Sequence, residues 1–111
     1  MTPSTAALHI LLALSAEDRY GYGIMQEVTR QSGGSYKLGP GTLYDNLKKL
    51  MEQGLVAEAP RRSFKEDPRR RYYRITSEGR RVFAAEIERL ESMVRAAKLR
   101  LRGAKPREAA S

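Results

Sequence analysis

Hydrophobic positions in the first half of the chain recur with helical spacing. Within residues 6–14, Leu8, Leu11 and Leu12 follow the i, i+3, i+4 pattern of one helix face. The preceding Ser4-Thr5 pair is suited to cap a helix N-terminus, because a hydroxyl oxygen there can accept a free backbone N–H. The pattern therefore predicts a first helix over residues 6–14.

Two further helices are predicted before residue 55. The second runs from about Tyr22 to Gln31 and stops at Gly33-Gly34, since glycine readily takes the left-handed conformation found at many helix ends. The third opens at Gly39-Pro40-Gly41-Thr42, where proline suits the first helical position, and Gly54 ends it. One face of this third helix carries leucines at Leu43, Leu47 and Leu50.

The hydrophobic period changes after Gly54. The segments 55–59 and 71–75 are short and rich in apolar, β-branched or aromatic residues, which predicts two strands. Between them, residues 60–70 are polar and basic. This arrangement predicts a two-stranded hairpin with a long charged tip.

A long helix is predicted to follow the hairpin, with Thr76 or Ser77 as its cap and Glu78 favourably placed near its positive end. Its apolar positions alternate in steps of four and three residues, as in a coiled-coil seam. These positions are Phe83, Ile87, Leu90, Val94, Ala97 and Leu101. The stripe is too long for the preceding residues to cover, so we expect a homodimer interface, although the helix could instead fold back on its own domain.

The order of these elements predicts a mainly α-helical fold with a small β-hairpin, that is, a winged helix-turn-helix followed by one long dimerisation helix. We assign residues 1–76 to the DNA-binding domain, 77–102 to the dimerisation helix and 103–111 to a disordered tail. The leucines of helix 3 would pack inward, which leaves its other side free for a DNA major groove.

Composition excludes several classes of function. The 111 residues include no cysteine and a single histidine, His9, so we expect no metal site, no cofactor and no enzyme. His9 itself is predicted to be an ordinary packed or surface residue. The chain has no apolar run long enough to cross a membrane and no basic leader at its N-terminus, so we expect a cytoplasmic protein.

The net charge of +8 is unevenly distributed. Residues 1–54 are neutral overall, whereas residues 55–74 and 75–111 each carry a net charge of +4. A local positive field attracts polyanions, of which nucleic acid is the common one. The alternative is a solvated basic surface that only keeps the protein soluble.

The outer face of helix 3 supplies the first set of candidate DNA contacts: Gly41, Thr42, Tyr44, Lys48 and Lys49. Gly41 would let a phosphate approach the free N–H groups of the helix N-terminus, or it could simply allow a tight turn. Asp45, on the same face, would repel phosphate but could accept a hydrogen bond from a cytosine amino group.

The hairpin tip supplies the second set: Arg61, Arg62, Lys65, Arg69, Arg70 and Arg71. Such a run is often only solvated surface, but here it lies beside the predicted recognition helix. We therefore expect some of these side chains to contact phosphates or to enter the minor groove.

The motifs, taken in order, resemble those of the PadR family of transcriptional regulators, in particular its short subfamily with a single C-terminal helix. The resemblance extends from Leu8 to about Leu101. It is carried by Tyr20-Gly21-Tyr22-Gly23-Ile24, Leu38-Gly39-Pro40-Gly41-Thr42-Leu43-Tyr44, Leu47-Lys48-Lys49-Leu50, Gly54-Leu55-Val56, Asp67-Pro68-Arg69-Arg70-Arg71-Tyr72-Tyr73-Arg74-Ile75-Thr76 and Glu78-Gly79.

The resemblance implies a dimeric repressor that binds double-stranded DNA at a pseudo-palindromic operator. It implies DNA contacts by Tyr22, Thr42, Tyr44, Lys48 and the arginines of the hairpin. Position 20 is often histidine in this family and is Tyr20 here. Some members bind a flat aromatic compound, sandwiched by tryptophan, in a cavity between the subunits. This chain has no tryptophan, so that mode of binding is not carried over, and whether a small aromatic effector exists is left open.

Two classes of function follow from the sequence. The leading one is a sequence-specific transcriptional repressor. The alternative is a basic dimeric module that docks on another protein or on RNA without operator specificity. A preference for one DNA sequence, measured across a salt series, separates the two.

Overall fold

A computed structural model of the chain describes residues 2–61, 67 and 69–103. Four helices surround a small antiparallel sheet with strand order β1-β3-β2. The elements are α1 (Thr5–Ala16), β1 (Arg19–Tyr20), α2 (Gly21–Gln31), α3 (Pro40–Glu52), β2 (Val56–Ala59), β3 (Tyr72–Ile75) and α4 (Ser77–Arg102). The prediction of a mainly helical chain with a small sheet and a long last helix is confirmed.

The predicted helix ends are found where the sequence places them. The Ser4 hydroxyl accepts a hydrogen bond from the Ala7 N–H at 3.1 Å and caps α1. Gly33 and Gly34, at φ values of 62° and 83°, follow the end of α2. Thr76 caps α4 by accepting from the Gly79 N–H at 2.9 Å.

The predicted buried face of α1 is partly wrong. Ile10, Leu11 and Leu14 are the buried large side chains, whereas Leu12 is 42% exposed. Because residues 6–14 are almost continuously apolar, two overlapping stripes with helical spacing are available. The packing partners in α2 and α3 select the stripe that contains Ile10.

The helix-turn-helix unit packs through the leucine face of α3. Leu43, Leu47 and Leu50 are buried with Ile24 and Val28 of α2 and with the inner face of α1. Full burial of a leucine side chain is worth about 1.5–3 kcal/mol. These leucines therefore set the rotation of α3 about its axis and turn its polar side outward.

The sheet has three strands, which corrects the predicted two-stranded hairpin. The additional strand, β1, pairs with β3 through Arg19↔Tyr73 and Tyr20↔Tyr72. A strand of two residues is too short to show an alternating pattern, so the sequence carried no signal for it. Arg19 also donates its Nε–H to the Ala13 carbonyl at 2.8 Å, which ties the strand to the end of α1.

The start of α4 is bound to the backbone of the α3–β2 turn. The Leu55 carbonyl accepts the Thr76 N–H at 3.0 Å, and the Thr76 hydroxyl donates to the Gly54 carbonyl at 2.7 Å. Gly79 lies so close to this turn that a Cβ there would overlap the Leu55 carbonyl oxygen. The close approach explains the glycine in the first turn of α4.

Only the first part of α4 packs on the rest of the chain. Phe83 is partly buried against the core, whereas residues 91–103 are exposed throughout. At about 1.5 Å per residue the helix is about 39 Å long, and the greatest extent of the described chain is 63 Å. The predicted tail lies, from residue 104 onward, outside the described residues, and the division into domains stays a prediction.

Gly79→Ala should destabilise the protein, because the added methyl group meets backbone rather than a movable side chain. We expect a loss of about 1–3 kcal/mol in the free energy of unfolding, the usual cost of overpacking. Thermal denaturation followed by circular dichroism measures it. Gly41→Ala is the matched control, since a Cβ there meets nothing within 4 Å; its melting temperature should stay unchanged or rise. Equal melting temperatures for Gly79→Ala and the wild type would contradict the close approach.

Candidate nucleic-acid interface

The outward face of α3 presents the side chains that the sequence predicted. Gly41, Thr42, Lys48 and Lys49 are exposed, and the ring of Tyr44 is half exposed. Asp45 is exposed on the same face. The predicted orientation of α3 is therefore confirmed, and its contact with DNA stays a prediction at this point.

The N-terminus of α3 is open to solvent. Its N-cap residue, Gly39, makes no side-chain capping bond, and Pro40 occupies the first turn. Gly39 has φ −83°, and Gly41 is not among the glycines with positive φ. A left-handed turn therefore does not explain either glycine. Close packing does not explain these two glycines either, because a Cβ at Gly39 or Gly41 would meet no atom within 4 Å.

Tyr44 connects α3 with the first turn of α2. Its phenol ring lies directly over Gly21, where an added Cβ would overlap the Tyr44 oxygen and come within 3.0 Å of Cζ. Tyr22, the next residue of α2, is exposed. The N-terminal part of α3 and that of α2 therefore share one surface, as the Gly-Tyr motif implied.

A shallow cleft of about 410 Å³ separates α3 from the sheet. Its walls are the α3 residues Tyr44, Leu47, Lys48, Met51 and Glu52 and the β3 residue Tyr73. Burial raises the pKa of the Tyr73 phenol, and the neighbouring Tyr44 and Glu58 act in the same direction, so this side chain is neutral at pH 7. The sequence reasoning did not select Met51, which is exposed here, because a lone methionine late in a helix carries no signal.

The described arginines of the hairpin tip, Arg61, Arg69, Arg70 and Arg71, are all exposed. Arg69 pairs with Asp67 at 3.2 Å, and Arg71 approaches Glu58 at 3.7 Å. The guanidinium of Arg70 instead lies over the ring of Tyr20, with 4.2 Å between its central carbon and the ring centroid. Arg62 and Lys65 lie outside the described residues.

Carboxylates neutralise many of the basic side chains elsewhere in the fold. Arg74 pairs with Asp18 at 3.0 Å. The Arg30 hydrogen bond holds the pKa of the Glu27 carboxyl below its usual range, with Arg19 adding to the effect. On α4, Arg81 pairs with Glu78 and Arg89 with the buried Glu86.

Several cations of the described chain make no ion pair with a described carboxylate: Lys48 and Lys49 on α3, Arg61 and Arg70 at the hairpin tip, Lys37, Arg80, and the basic side chains at the C-terminal end of α4. Exposed ion pairs contribute little to stability, so the main consequence of this pairing is the shape of the field. The surface of α3 and the hairpin tip therefore carries a local group of positive charges, an arrangement that attracts a polyanion.

The single histidine is a packed residue. Its ring stacks on Tyr36 with a centroid distance of 4.5 Å, and its carbonyl accepts a hydrogen bond from Gln31 at 2.9 Å. Among the described residues, His, Asp and Glu side chains nowhere form a group of three that could hold a metal ion. Within the same part of the chain, no helix combines the length and the apolar character required to cross a bilayer.

Comparison with known proteins places the chain in a family. Residues 10–85 match the transcriptional regulator PadR-like family. The chain belongs to the PadR-like family. This confirms the resemblance seen in the motifs and the prediction that the protein is not an enzyme, because the family consists of transcriptional regulators.

Two curated relatives support the assignment. A transcriptional regulator of Mycobacterium tuberculosis is 33% identical over 88 residues, which cover 79% of this chain and 78% of the relative. An uncharacterised protein of Lysinibacillus sphaericus is 38% identical over 71 residues, or 64% of each chain, so the chain spans slightly less than two thirds of that relative.

Solved structures show the same fold. A PadR family transcription regulator of Clostridium difficile superimposes with a TM-score of 0.68 at 25% identity, covering 90% of this chain and all of the other. Bacillus subtilis PadR, solved in complex with operator DNA, gives a TM-score of 0.64 at 19% identity and covers 76% of this chain and 47% of the other. The second match, at its low identity, shows the winged-helix fold alone.

Gly21→Ala should destabilise the contact between α2 and α3, because its methyl group meets the Tyr44 phenol. The loss of free energy should shrink when Tyr44→Ala is added, since the truncated side chain leaves room for the methyl group. Urea denaturation of the two single variants and the double variant measures this coupling. Gly23→Ala is the control: a Cβ there makes an ordinary 3.4 Å contact, and alanine favours helix. Strictly additive losses would contradict the proposed packing of Tyr44 on Gly21.

Proposed function

We propose that this PadR-like protein is a homodimeric, sequence-specific repressor that binds a pseudo-palindromic operator in double-stranded DNA. One observation carries the proposal: the outward face of α3 exposes Lys48 and Lys49, which make no ion pair with a described carboxylate, and the hairpin tip exposes Arg61, Arg69, Arg70 and Arg71. The structural match to a PadR protein solved with operator DNA supports the same interpretation.

In this proposal α3 enters the major groove. Lys48 and Lys49 supply charge for phosphates or for guanine edges, and Thr42 and Tyr44 lie nearest the helix N-terminus, where recognition helices contact base edges. Asp45 on the same face would accept a hydrogen bond from the amino group of a cytosine.

The absence of a side chain at Gly41 is part of the proposal. Neither a positive φ nor a close intramolecular contact accounts for a glycine in the first turn of α3, and glycine costs up to about 1 kcal/mol there relative to alanine. A phosphate that approaches the free N–H groups of this turn would need the space. This favours the phosphate interpretation over the tight-turn alternative.

The hairpin tip is proposed to contact the neighbouring DNA backbone or minor groove. Among its described arginines, Arg61 and Arg70 make no ion pair with a described carboxylate and act on Asp67 only through their charge. Arg69 and Arg71 would have to exchange Asp67 and Glu58 for phosphate. Contacts by Arg62 and Lys65 stay predictions.

The exposed stripe of α4 is proposed to form the dimer interface. Ile87, Val94 and Leu101 become progressively more exposed along the helix, at 37%, 50% and 87%. Phe83 is partly buried against the core, Leu90 is half-buried, and Ala97 is exposed. An apolar stripe of this length is unstable in water and typical of a surface that a second helix covers.

The charges along α4 favour an antiparallel arrangement of the two dimerisation helices. The middle of the helix carries the exposed Glu88 and Glu91, whereas residues 95–102 carry four basic and no acidic side chains. A parallel pair would place the two basic ends side by side. An antiparallel pair centred near Val94 brings each basic end beside the acidic middle of its partner, and two-fold symmetry of this kind matches a pseudo-palindromic site.

Repression follows if the operator overlaps a promoter, and a cytoplasmic location is proposed on the same grounds. The aromatic side chain of Tyr73 is part of the core, and that of Phe83 packs against it. An effector ligand is therefore not part of the proposal.

Lys48→Ala should weaken operator binding without lowering the melting temperature, because Lys48 is exposed and makes no ion pair in the described part of the chain. We expect a loss of about 1 kcal/mol or more in binding free energy. If Lys48 contacts a phosphate, the slope of log affinity against log salt should also fall by about one. Fluorescence anisotropy with DNA from upstream of the gene and with a shuffled duplex measures both quantities.

Lys98→Ala is the control for charge alone, since it removes the same charge from the far end of α4. It should bind the operator nearly as well as the wild type. Equal losses for the two lysine variants, with no preference for upstream DNA, would contradict the proposal and favour a generic polyanion surface. Absence of DNA binding at low salt would instead favour docking on a protein or on RNA.

Leu90→Asp should produce monomers or aggregates, because a carboxylate in a buried apolar seam lacks a partner and costs several kcal/mol. Light scattering coupled to size-exclusion chromatography gives the mass. Ser92→Asp, on the opposite side of α4, should remain dimeric. A stable Leu90→Asp dimer would contradict the assigned interface.

A further inference from the structure

We infer that Tyr20 is a positioning residue, which holds the guanidinium of Arg70 at the junction of the sheet and α2 so that Arg70 contacts the DNA backbone. The inference rests on the proposed DNA-binding function. It assigns Tyr20 a different role from that of the residues that touch DNA, and it distinguishes Arg70 from its neighbouring arginines.

The strand register brings the two side chains together. Tyr20 of β1 lies opposite Tyr72 of β3, and Arg70 precedes Tyr72 by two residues. Arg70 lies just outside β3, at the end of a turn in which its N–H bonds to the Asp67 carbonyl. The register places Tyr20 beside the start of β3, within reach of the long Arg70 side chain, whose guanidinium lies over the Tyr20 ring.

The Tyr20 ring is held in place by its surroundings. It packs against the buried Tyr72 with a centroid distance of 5.6 Å, and Tyr22 lies at 6.4 Å. On its other side, a Cβ at Gly23 would touch the Tyr20 ring at 3.4 Å. The ring thus forms a fixed surface between the sheet and the first turn of α2.

Arg70 contacts the Tyr20 ring, whereas the arginines beside it contact carboxylates. Its guanidinium carbon lies 4.2 Å from the Tyr20 centroid, the geometry of a cation–π contact. Its neighbours Arg69 and Arg71 are drawn to Asp67 and Glu58. Arg70 makes no ion pair with a carboxylate of the described residues, and it acts on Asp67 only through its charge, which contributes to the lowered pKa of that carboxyl. Stacking occupies the face of the guanidinium and leaves the N–H groups along its edge free to donate.

The location of the pair indicates which part of the DNA it meets. Tyr20 is the residue that immediately precedes α2, whereas the base-reading candidates lie on α3. Contacts to phosphates fix the orientation of a protein on the duplex without reading sequence. A guanidinium that is already ordered loses less side-chain entropy when it makes such a contact.

A double-mutant cycle on the full-length protein tests the coupling. Arg70→Ala should weaken binding to both operator and shuffled DNA and lower the salt slope by about one. Tyr20→Leu should weaken binding by about two- to five-fold, the worth of an exposed cation–π contact, and should have no further effect in the Arg70→Ala background. Tyr20→Phe keeps the ring and should bind like the wild type.

Arginine-to-lysine variants provide a second test that leaves the aromatic cluster intact, in case Tyr20→Leu lowers the melting temperature. Arg70→Lys keeps the charge but loses the planar, stacked group, so we expect binding about two- to five-fold weaker at an unchanged salt slope. Arg81→Lys is the matched control, since Arg81 pairs with Glu78 on α4 and stacks on no ring of the described residues, and it should bind like the wild type.

The possible results separate this inference from the function on which it rests. If the wild type prefers operator DNA, additive effects of Tyr20→Leu and Arg70→Ala overturn the positioning role alone. A loss of DNA affinity in Tyr20→Phe also overturns the positioning role, because the Tyr20 hydroxyl would then contribute to binding itself. A wild type that binds no DNA overturns both the inference and the proposed function.

Discussion

The packing of the α4 N-terminus against the backbone of the α3–β2 turn is the constraint on which the other surfaces depend. Thr76 bonds to the backbone at Gly54 and Leu55, and Gly79 is the residue that lets the helix come this close. The same turn ends α3 and begins the sheet. One contact therefore sets the direction of α4 and the position of the sheet beside α3.

The charge of the proposed DNA-binding surface depends on which basic side chains form ion pairs, as well as on how many basic residues the chain has. Several arginines, such as Arg19, Arg30 and Arg74, contact acidic partners or backbone carbonyls. Their charges are largely cancelled locally. Within the described residues, the basic side chains that make no ion pair include those on α3, Arg61 and Arg70 at the hairpin tip, and those at the end of α4.

Two aromatic contacts join the parts of this surface. Tyr44 rests on Gly21 and links α3 to α2, and Tyr20 rests between Tyr72 and Gly23 and links the sheet to α2. The start of α2 is thus the meeting point of the recognition helix and the hairpin. This arrangement gives a physical reason for the glycine and tyrosine residues around position 21, because large rings need glycines beneath them to lie so close to a helix.

Local information in the sequence was sufficient for the helices, the two longer strands, the caps and the outward face of α3. Helical periodicity, glycine and proline positions and capping hydroxyls act over a few residues, so they can be recognised without a fold. The outward orientation of Lys48 and its neighbours could be predicted as well, because the buried leucines occupy the opposite face of α3.

Other features depended on contacts between segments far apart in the sequence. The strand β1, the choice of the Ile10 face of α1 over the Leu12 face, and the stacking of Arg70 on Tyr20 each require a partner that is distant along the chain. The sequence by itself determined the elements and the composition of the basic surface. Only the tertiary structure decided which charges remain unpaired and which arginine is held by a ring, because those outcomes depend on distances that no local pattern encodes.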